Sequence, residues 1–256
     1  MLDAATDFDR WILRPAPRDG GDLRLLCAPY AGGSTAAFHG WADALPASVD
    51  VWLLRLPGRD VRLREPLMTD IAELVPAIAA AIADRLEEPL ALFGHSLGAS
   101  IVFELAGRLA REHGVDAAHL AVSSRCAPHI PVSYGPIHTL PSDQFVEALD
   151  RRFEAIPPAI KEDPALRELY LPILRADAQL LETYRPTLDA PLNCPITAYG
   201  GREDPEVSEQ QLAAWARHTR GVFSLRMFPG GHFYLQHERD ELLRLLSSDL
   251  LRCLVP

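Results

Sequence analysis

Short apolar runs of strand length alternate along most of the chain with longer stretches whose apolar residues recur every three or four positions. Parallel strands need long crossover connections, and these are usually helices. We therefore expect an α/β fold with a mostly parallel sheet flanked by helices. The predicted strands are Leu23–Ala28, Val51–Leu56, Leu90–Phe93, His119–Ser124, Ile196–Tyr199 and Ser224–Phe228. The predicted helices are Gly32–Leu45, Ile71–Leu86, Ala99–Glu112, Ser208–Arg217 and Asp240–Leu251.

One stretch, residues 128–186, departs from the alternation and is called the cap segment below. It has no convincing strand but holds two helical pieces, Ser142–Phe153 and Pro164–Tyr184, among several prolines. An insertion of this kind would lie over the carboxyl ends of the strands, where open α/β sheets bind ligands. We expect a single domain over residues 1–256, with the cap segment inserted as a helical lid.

Composition excludes several classes of protein. The chain has 256 residues, 48% of them hydrophobic, and a net charge of −10, which opposes nonspecific binding to nucleic acid or anionic membranes. The beginning of the chain does not resemble a signal peptide, and no apolar run approaches the ~18 residues that span a bilayer. The four cysteines are widely spaced and predict buried, reduced thiols. We expect a soluble, cytoplasmic monomer.

The segment Gly94-His95-Ser96-Leu97-Gly98 carries the strongest chemical signal. It follows a predicted strand and precedes a predicted helix, the context in which Gly-x-Ser-x-Gly forms the nucleophile turn of an α/β-hydrolase. Ser96 is therefore the predicted nucleophile of a serine hydrolase with the α/β-hydrolase fold. In the alternative, this is a glycine-rich turn whose serine only caps the helix. No His/Cys/Asp/Glu cluster with metal-ligand spacing and no phosphate-binding loop is present, so we expect neither metal nor cofactor.

A serine nucleophile needs a base and an acid, and in this fold both follow it in the chain, acid first. His232 is the preferred base, because Pro229–Phe233 forms a loop directly after a predicted strand, whereas His237 belongs to the approach to the last helix. Glu203 and Asp204 both follow the preceding strand. Asp204 is preferred as the acid, because Pro205 fixes the backbone after it and its side chain is the shorter of the two.

The tetrahedral intermediate needs two N–H donors for its oxyanion. One is expected from Leu97, the residue after the nucleophile. The other is expected from the loop after the first predicted strand, Pro29–Gly33, with Ala31 preferred and Tyr30 second. An ordinary strand–helix turn would explain the glycines of this loop equally well.

Taken together, these motifs resemble those of the type II thioesterases, the stand-alone editing enzymes of polyketide and nonribosomal peptide biosynthesis. The matching pieces are Pro29-Tyr30-Ala31-Gly32-Gly33, Leu56-Pro57-Gly58-Arg59 with Arg62 and Glu65-Pro66, Gly94-His95-Ser96-Leu97-Gly98 and Gly230-Gly231-His232-Phe233. Asp204 falls where the family has its catalytic acid. Two departures are Tyr30, where many members have His, and Asp60, where Glu is common.

The resemblance implies hydrolysis of acyl groups held on the phosphopantetheine arm of acyl or peptidyl carrier proteins. Two alternatives stay open. One is a carboxylesterase or acyltransferase of the same fold, and the other is a non-catalytic module that binds a carrier protein. The arginine-rich stretch Arg55–Arg64 is either part of a docking patch or a set of solvated or ion-paired arginines.

Overall fold

The computed structural model describes residues 7–18, 20–131, 135–153 and 162–254. Its strands are β1 (Ile12–Leu13), β2 (Leu23–Ala28), β3 (Val49–Leu54), β4 (Leu90–His95), β5 (His119–Ser123), β6 (Ile196–Gly201) and β7 (Phe223–Phe228). They form one seven-stranded sheet in the order β1-β3-β2-β4-β5-β6-β7. Only the pairing of β1 with β3 is antiparallel, and the other neighbours are parallel. The predicted mostly parallel sheet is confirmed.

Helices connect the strands and cover the sheet. They are α1 (Asp7–Trp11), α2 (Trp41–Ala44), α3 (Ile71–Ile82), α4 (Leu97–His113), α5 (Ser142–Phe153), α6 (Pro164–Thr183), α7 (Glu209–Ala213) and α8 (Arg239–Arg252). Local signals set several of their ends. Asp70 begins α3 by accepting a hydrogen bond from the Ala72 N–H, and a left-handed Gly114 ends α4.

Two predictions about the early elements were wrong. The third strand begins and ends two residues before the predicted Val51–Leu56, because its register against β2 pairs Leu23 with Val49. The predicted helix over Gly32–Leu45 is instead a 3-10 turn, Thr35–Phe38, followed by the single turn of α2. Gly40 separates the two with a φ of 73°, which an α-helix does not accommodate.

The two faces of the sheet bury separate cores, because successive side chains of a strand point to opposite faces. Leu26 and Leu92 pack on one face against α3 and α4, whereas Leu25 and Phe93 pack on the other against α2 and α8. All four cysteines have free thiols; Cys27, Cys126 and Cys194 are buried and Cys253 is half-buried.

The cap segment connects β5 to β6, and its described residues contain α5 and α6 but no strand. It has a small core of its own, formed by Ile137, Phe145, Leu149 and Ala178. Glu182 near the end of α6 accepts hydrogen bonds from the backbone N–H groups of Ile137 and His138, at 2.8 and 3.1 Å. That the segment acts as a lid within a single domain stays a prediction.

Within the described ranges, none of the helices combines the length and the apolar character that crossing a bilayer requires.

Candidate active site

The turn between β4 and α4 holds Ser96 in a backbone conformation that L-residues rarely adopt, with φ 54° and ψ −112°. Such a conformation costs about 1–3 kcal/mol and persists only where the surroundings enforce it. The backbone on both sides of Ser96 packs so closely against neighbouring backbone that only glycine fits there. A Cβ on Gly94 would lie 2.3 Å from the carbonyl carbon of Gly98, and a Cβ on Gly98 would lie 2.1 Å from the carbonyl oxygen of Ala28.

Ser96 also lies at the amino end of α4, a helix of 17 residues. The first N–H groups of a helix have no partner within it and carry a partial positive charge. Negative charge that develops beside Ser96 would therefore be stabilised. The serine is 7% exposed, so such charge would develop largely away from water.

His232 and Asp204 lie together at the carboxyl edge of the sheet, on the loops that follow β7 and β6. His232 Nδ1 is 2.8 Å from Asp204 Oδ2, and the two side chains are only 4% and 0% exposed. The other carboxylate oxygen, Asp204 Oδ1, accepts the backbone N–H groups of Glu206 and Val207 at 2.9 and 3.2 Å. Both oxygens of the predicted acid are therefore held, one by the loop backbone and one facing the predicted base.

The less favoured candidates for the acid and the base, Glu203 and His237, are both exposed. The exposed Glu203 accepts a hydrogen bond from the backbone N–H of Gly230, and its own N–H donates to the carbonyl oxygen of Gly230 at 3.0 Å. It thus braces the loop that carries His232, a role that its sequence position did not indicate. His237 is exposed and follows the 3-10 turn Tyr234–Gln236.

The predicted oxyanion donors come from two elements in direct contact. Leu97 is the first residue of α4, and Ala31 lies in the loop after β2. The Gly98 position would place a Cβ 2.1 Å from the Ala28 carbonyl oxygen and 2.8 Å from that of Pro29, so the loop passes directly over the start of the helix. Within the loop, the Gly33 N–H donates to the Tyr30 carbonyl oxygen at 2.8 Å.

A second histidine, His95, lies fully buried beside the candidate base, with ring centroids 5.3 Å apart. Burial, and to a lesser degree the neighbouring His232, hold the pKa of His95 well below its ordinary value. Its Nδ1 lies 2.8 Å from the Ser123 hydroxyl, which in turn lies 2.7 Å from the Tyr234 hydroxyl. The sequence motifs assigned no role of their own to His95, Ser123 or Tyr234. A serine at the end of a buried strand was the available signal.

Buried neutral histidines predict a loss of stability in acid. Burial also lowers the pKa of His119 to about 4, although nearby Asp249 opposes the shift. Below about pH 6.5 these histidines bind protons in the unfolded chain but not in the folded one. Each of them therefore lowers the free energy of unfolding by up to ~1.4 kcal/mol per pH unit on acidification. We expect urea unfolding at pH 5 to show lower stability than at pH 7. His119→Gln should reduce this difference, and the exposed His237→Gln should not. An unchanged difference in His119→Gln would contradict the assignment.

Burial decides the role of two of the four arginines in Arg55–Arg64, and a docking role for the half-buried Arg55 and the exposed Arg64 stays a prediction. Arg59 and Arg62 are 6% and 3% exposed and ion-paired, so they are unavailable for docking. Arg62 pairs with Glu65 at 2.7 Å and lies over the ring of Trp11, 3.9 Å from its centroid. Arg59 pairs with Asp177 of α6.

Among the described residues, no group of three or more His, Cys, Asp or Glu side chains could hold a metal ion.

Comparison with known proteins shows the family of the chain. The family model described as a thioesterase domain matches residues 23–250. The gramicidin S biosynthesis protein GrsT of Aneurinibacillus migulanus is 37% identical over 98% of each chain. Thioesterase PikA5 of Streptomyces venezuelae is 39% identical, over 98% of this chain and 90% of its own.

Solved structures agree as well. The type II thioesterase BorB of the borrelidin biosynthetic cluster is 37% identical and superimposes with a TM-score of 0.83, covering 94% of this chain and 96% of its own. The thioesterase RedJ of the prodiginine pathway in Streptomyces coelicolor is 37% identical, with a TM-score of 0.85 and coverage of 93% and 95%. The predicted α/β-hydrolase fold is confirmed. The chain belongs to the thioesterase family, as a type II thioesterase with the chemistry of a serine hydrolase.

Proposed function

We propose that this thioesterase hydrolyses acyl groups from the phosphopantetheine arm of acyl or peptidyl carrier proteins, and so removes stalled or misprimed units during polyketide or nonribosomal peptide biosynthesis. The observation that carries the proposal is the buried 2.8 Å contact between His232 and Asp204, at the same sheet edge as the strained Ser96. The biosynthetic pathways named for GrsT, BorB and RedJ support the substrate class.

In the proposed first step, Ser96 Oγ attacks the thioester carbonyl carbon while His232 Nε2 takes the hydroxyl proton. Asp204 holds Nδ1 protonated and stabilises the imidazolium ring that forms. The backbone N–H groups of Ala31 and Leu97 receive the oxyanion. The carbon–sulfur bond then breaks, the sulfur takes the proton from His232, and the carrier leaves with a free thiol.

In the second step, water loses a proton to His232 Nε2 and attacks the carbonyl carbon of the acyl-enzyme. The same two N–H groups receive the second oxyanion. The bond between the acyl carbon and Ser96 Oγ breaks, and the proton returns to the serine. The products are a free carboxylic acid and the regenerated enzyme.

This chemistry needs only side chains, backbone N–H groups and water, so we propose that no cofactor takes part. Action as a monomer in the cytoplasm stays a prediction, and light scattering after size-exclusion chromatography would test the oligomeric state.

The substrate class is tested with an acyl-pantetheine thioester and the oxygen ester of the same acyl group. We expect a higher kcat/KM for the thioester, and hydrolysis of an acylated carrier protein to the free acid. A preference for the oxygen ester would indicate a carboxylesterase, and transfer of the acyl group to an added alcohol or amine would indicate an acyltransferase.

A labelling experiment tests whether the protein is a non-catalytic module. Wild type should be labelled by a fluorophosphonate probe, and Ser96→Ala should not. An unlabelled wild-type chain would favour a carrier-protein binding module.

A further inference from the structure

A buried ion pair joins α6 of the cap segment to the segment after β3, beside the loop that carries Ala31. Arg59 and Asp177 lie 118 positions apart in the chain and form a two-pronged contact, with Nη1–Oδ2 and Nη2–Oδ1 distances of 2.7 and 2.8 Å. Their side chains are 7% and 1% exposed. Both side chains of the pair are therefore largely shielded from water.

The same two side chains hold the loop backbone directly. Asp177 Oδ2 also accepts the N–H of Gly32 at 2.7 Å, and Arg59 Nη1 donates to the carbonyl oxygen of Gly33 at 3.1 Å. Gly32 follows Ala31 and has a φ of 75°. A Cβ on Gly32 would lie 2.5 Å from Leu174 Cδ2, so the Leu174 side chain of α6 packs against this turn of the loop.

The charges of the pair matter for the reaction. A lone carboxylate at Asp177 would raise the energy of an oxyanion formed beside the neighbouring peptide, whereas Arg59 neutralises it. A buried ion pair is weak evidence for a gain in stability, since apolar side chains of similar volume often replace one without loss. Its contacts with the Gly32 and Gly33 backbone point to a role in fixing geometry.

We propose that Arg59 and Asp177 are positioning residues for the oxyanion loop. By fixing the Gly32 and Gly33 peptides, they hold the N–H of Ala31 in its donating orientation, and they make α6 part of the catalytic framework. This inference rests on the proposed function, because it concerns the oxyanion of that reaction.

The test uses Arg59→Met/Asp177→Leu, which removes both charges and fills the space with apolar atoms. The substrate is p-nitrophenyl acetate, whose two-carbon acyl group is too short to report on binding of a long chain. We expect kcat to fall roughly 100-fold, the size of effect seen when one oxyanion donor is lost. KM should change little, and the folded fraction by circular dichroism should match wild type. The rate of fluorophosphonate labelling should fall in parallel, because the phosphonyl oxygen occupies the same position as the oxyanion.

Two further variants separate positioning from structural support. Arg59→Met/Asp177→Asn restores a neutral oxygen that can accept the Gly32 N–H, and it should recover part of the lost kcat. Glu182→Gln alters another buried carboxylate of α6, one that holds the Ile137 and His138 backbone and has no contact with the loop. Its kcat on the acetate ester should stay close to that of wild type.

Several results would overturn the inference: kcat that falls only with the folded fraction, a rise in KM with kcat unchanged, no recovery in Arg59→Met/Asp177→Asn, or an equal loss in Glu182→Gln. A wild-type chain that hydrolyses no ester or thioester would instead contradict the proposed function.

Discussion

Replacing Ser96 by alanine is expected to lower kcat for an acyl-carrier thioester by roughly four to six orders of magnitude. Without the hydroxyl no acyl-enzyme forms, and the residual rate comes only from water attacking a carbonyl held in the oxyanion site. Single-turnover hydrolysis of an acylated carrier protein measures this loss. Mass spectrometry of the same mixture should show an acyl-enzyme in wild type and none in the variant.

A glycine at position 96 separates catalysis from backbone strain. Ser96→Gly should be as inactive as Ser96→Ala. Its free energy of unfolding should be about 1 kcal/mol higher than that of Ser96→Ala, because glycine adopts the positive φ of this position without strain. A matched control is Ser100→Ala, a buried serine of α4 whose hydroxyl accepts a hydrogen bond from Arg125 Nε at 3.1 Å. It should keep most of its activity. Equal losses in Ser100→Ala and Ser96→Ala would show that the helix, and not the nucleophile, had been disturbed.

Replacing Asp204 by asparagine is expected to lower kcat by about 10⁴-fold, the loss known for the acid of a serine protease triad. The backbone N–H groups of Glu206 and Val207 will hold the amide oxygen of the asparagine, which turns its NH₂ group towards His232. His232 Nδ1 must then accept that hydrogen bond and carry no proton. The proton moves to Nε2, which can no longer take one from Ser96.

The neighbouring carboxylate is the matched control. Glu203→Gln keeps an oxygen that accepts the Gly230 N–H, so kcat should stay within a few-fold of wild type and stability within about 1 kcal/mol. The pH dependence of kcat/KM, measured for all three proteins, reports on the base. A severe loss in Glu203→Gln together with a mild one in Asp204→Asn would reassign the acid to Glu203.

The candidate triad could be predicted from the sequence because each member lies directly after a strand. Strand ends leave local signals, such as the glycines around Ser96 and the proline after Asp204, and parallel strands bring these ends to one edge of the sheet. Chain order limited the candidates, and local position then favoured Asp204 over Glu203 and His232 over His237. The roles of these residues in catalysis stay predictions until the variants are measured.

What could not be predicted depends on contacts between distant parts of the chain. The Arg59–Asp177 pair spans 118 positions and the contact between Ser123 and Tyr234 spans 111, and neither leaves a periodic pattern. Arg59 therefore appeared as part of the Leu56–Arg59 motif and of a basic stretch, with no partner indicated. The start of β3 at Val49 is set by its register against β2, and the break at Gly40 by a single backbone angle. Helix periodicity detects neither.

The separate core of the cap segment affects how freely this part of the chain can vary in sequence. Phe145 and Leu149 pack with one another and their near neighbours, and share no core with the sheet. Substitutions there should therefore cost little stability in the elements that carry Ser96, Asp204 and His232. The cap segment can thus vary in sequence where it packs on itself, whereas Asp177 of α6 must keep its hydrogen bond with the loop at Gly32.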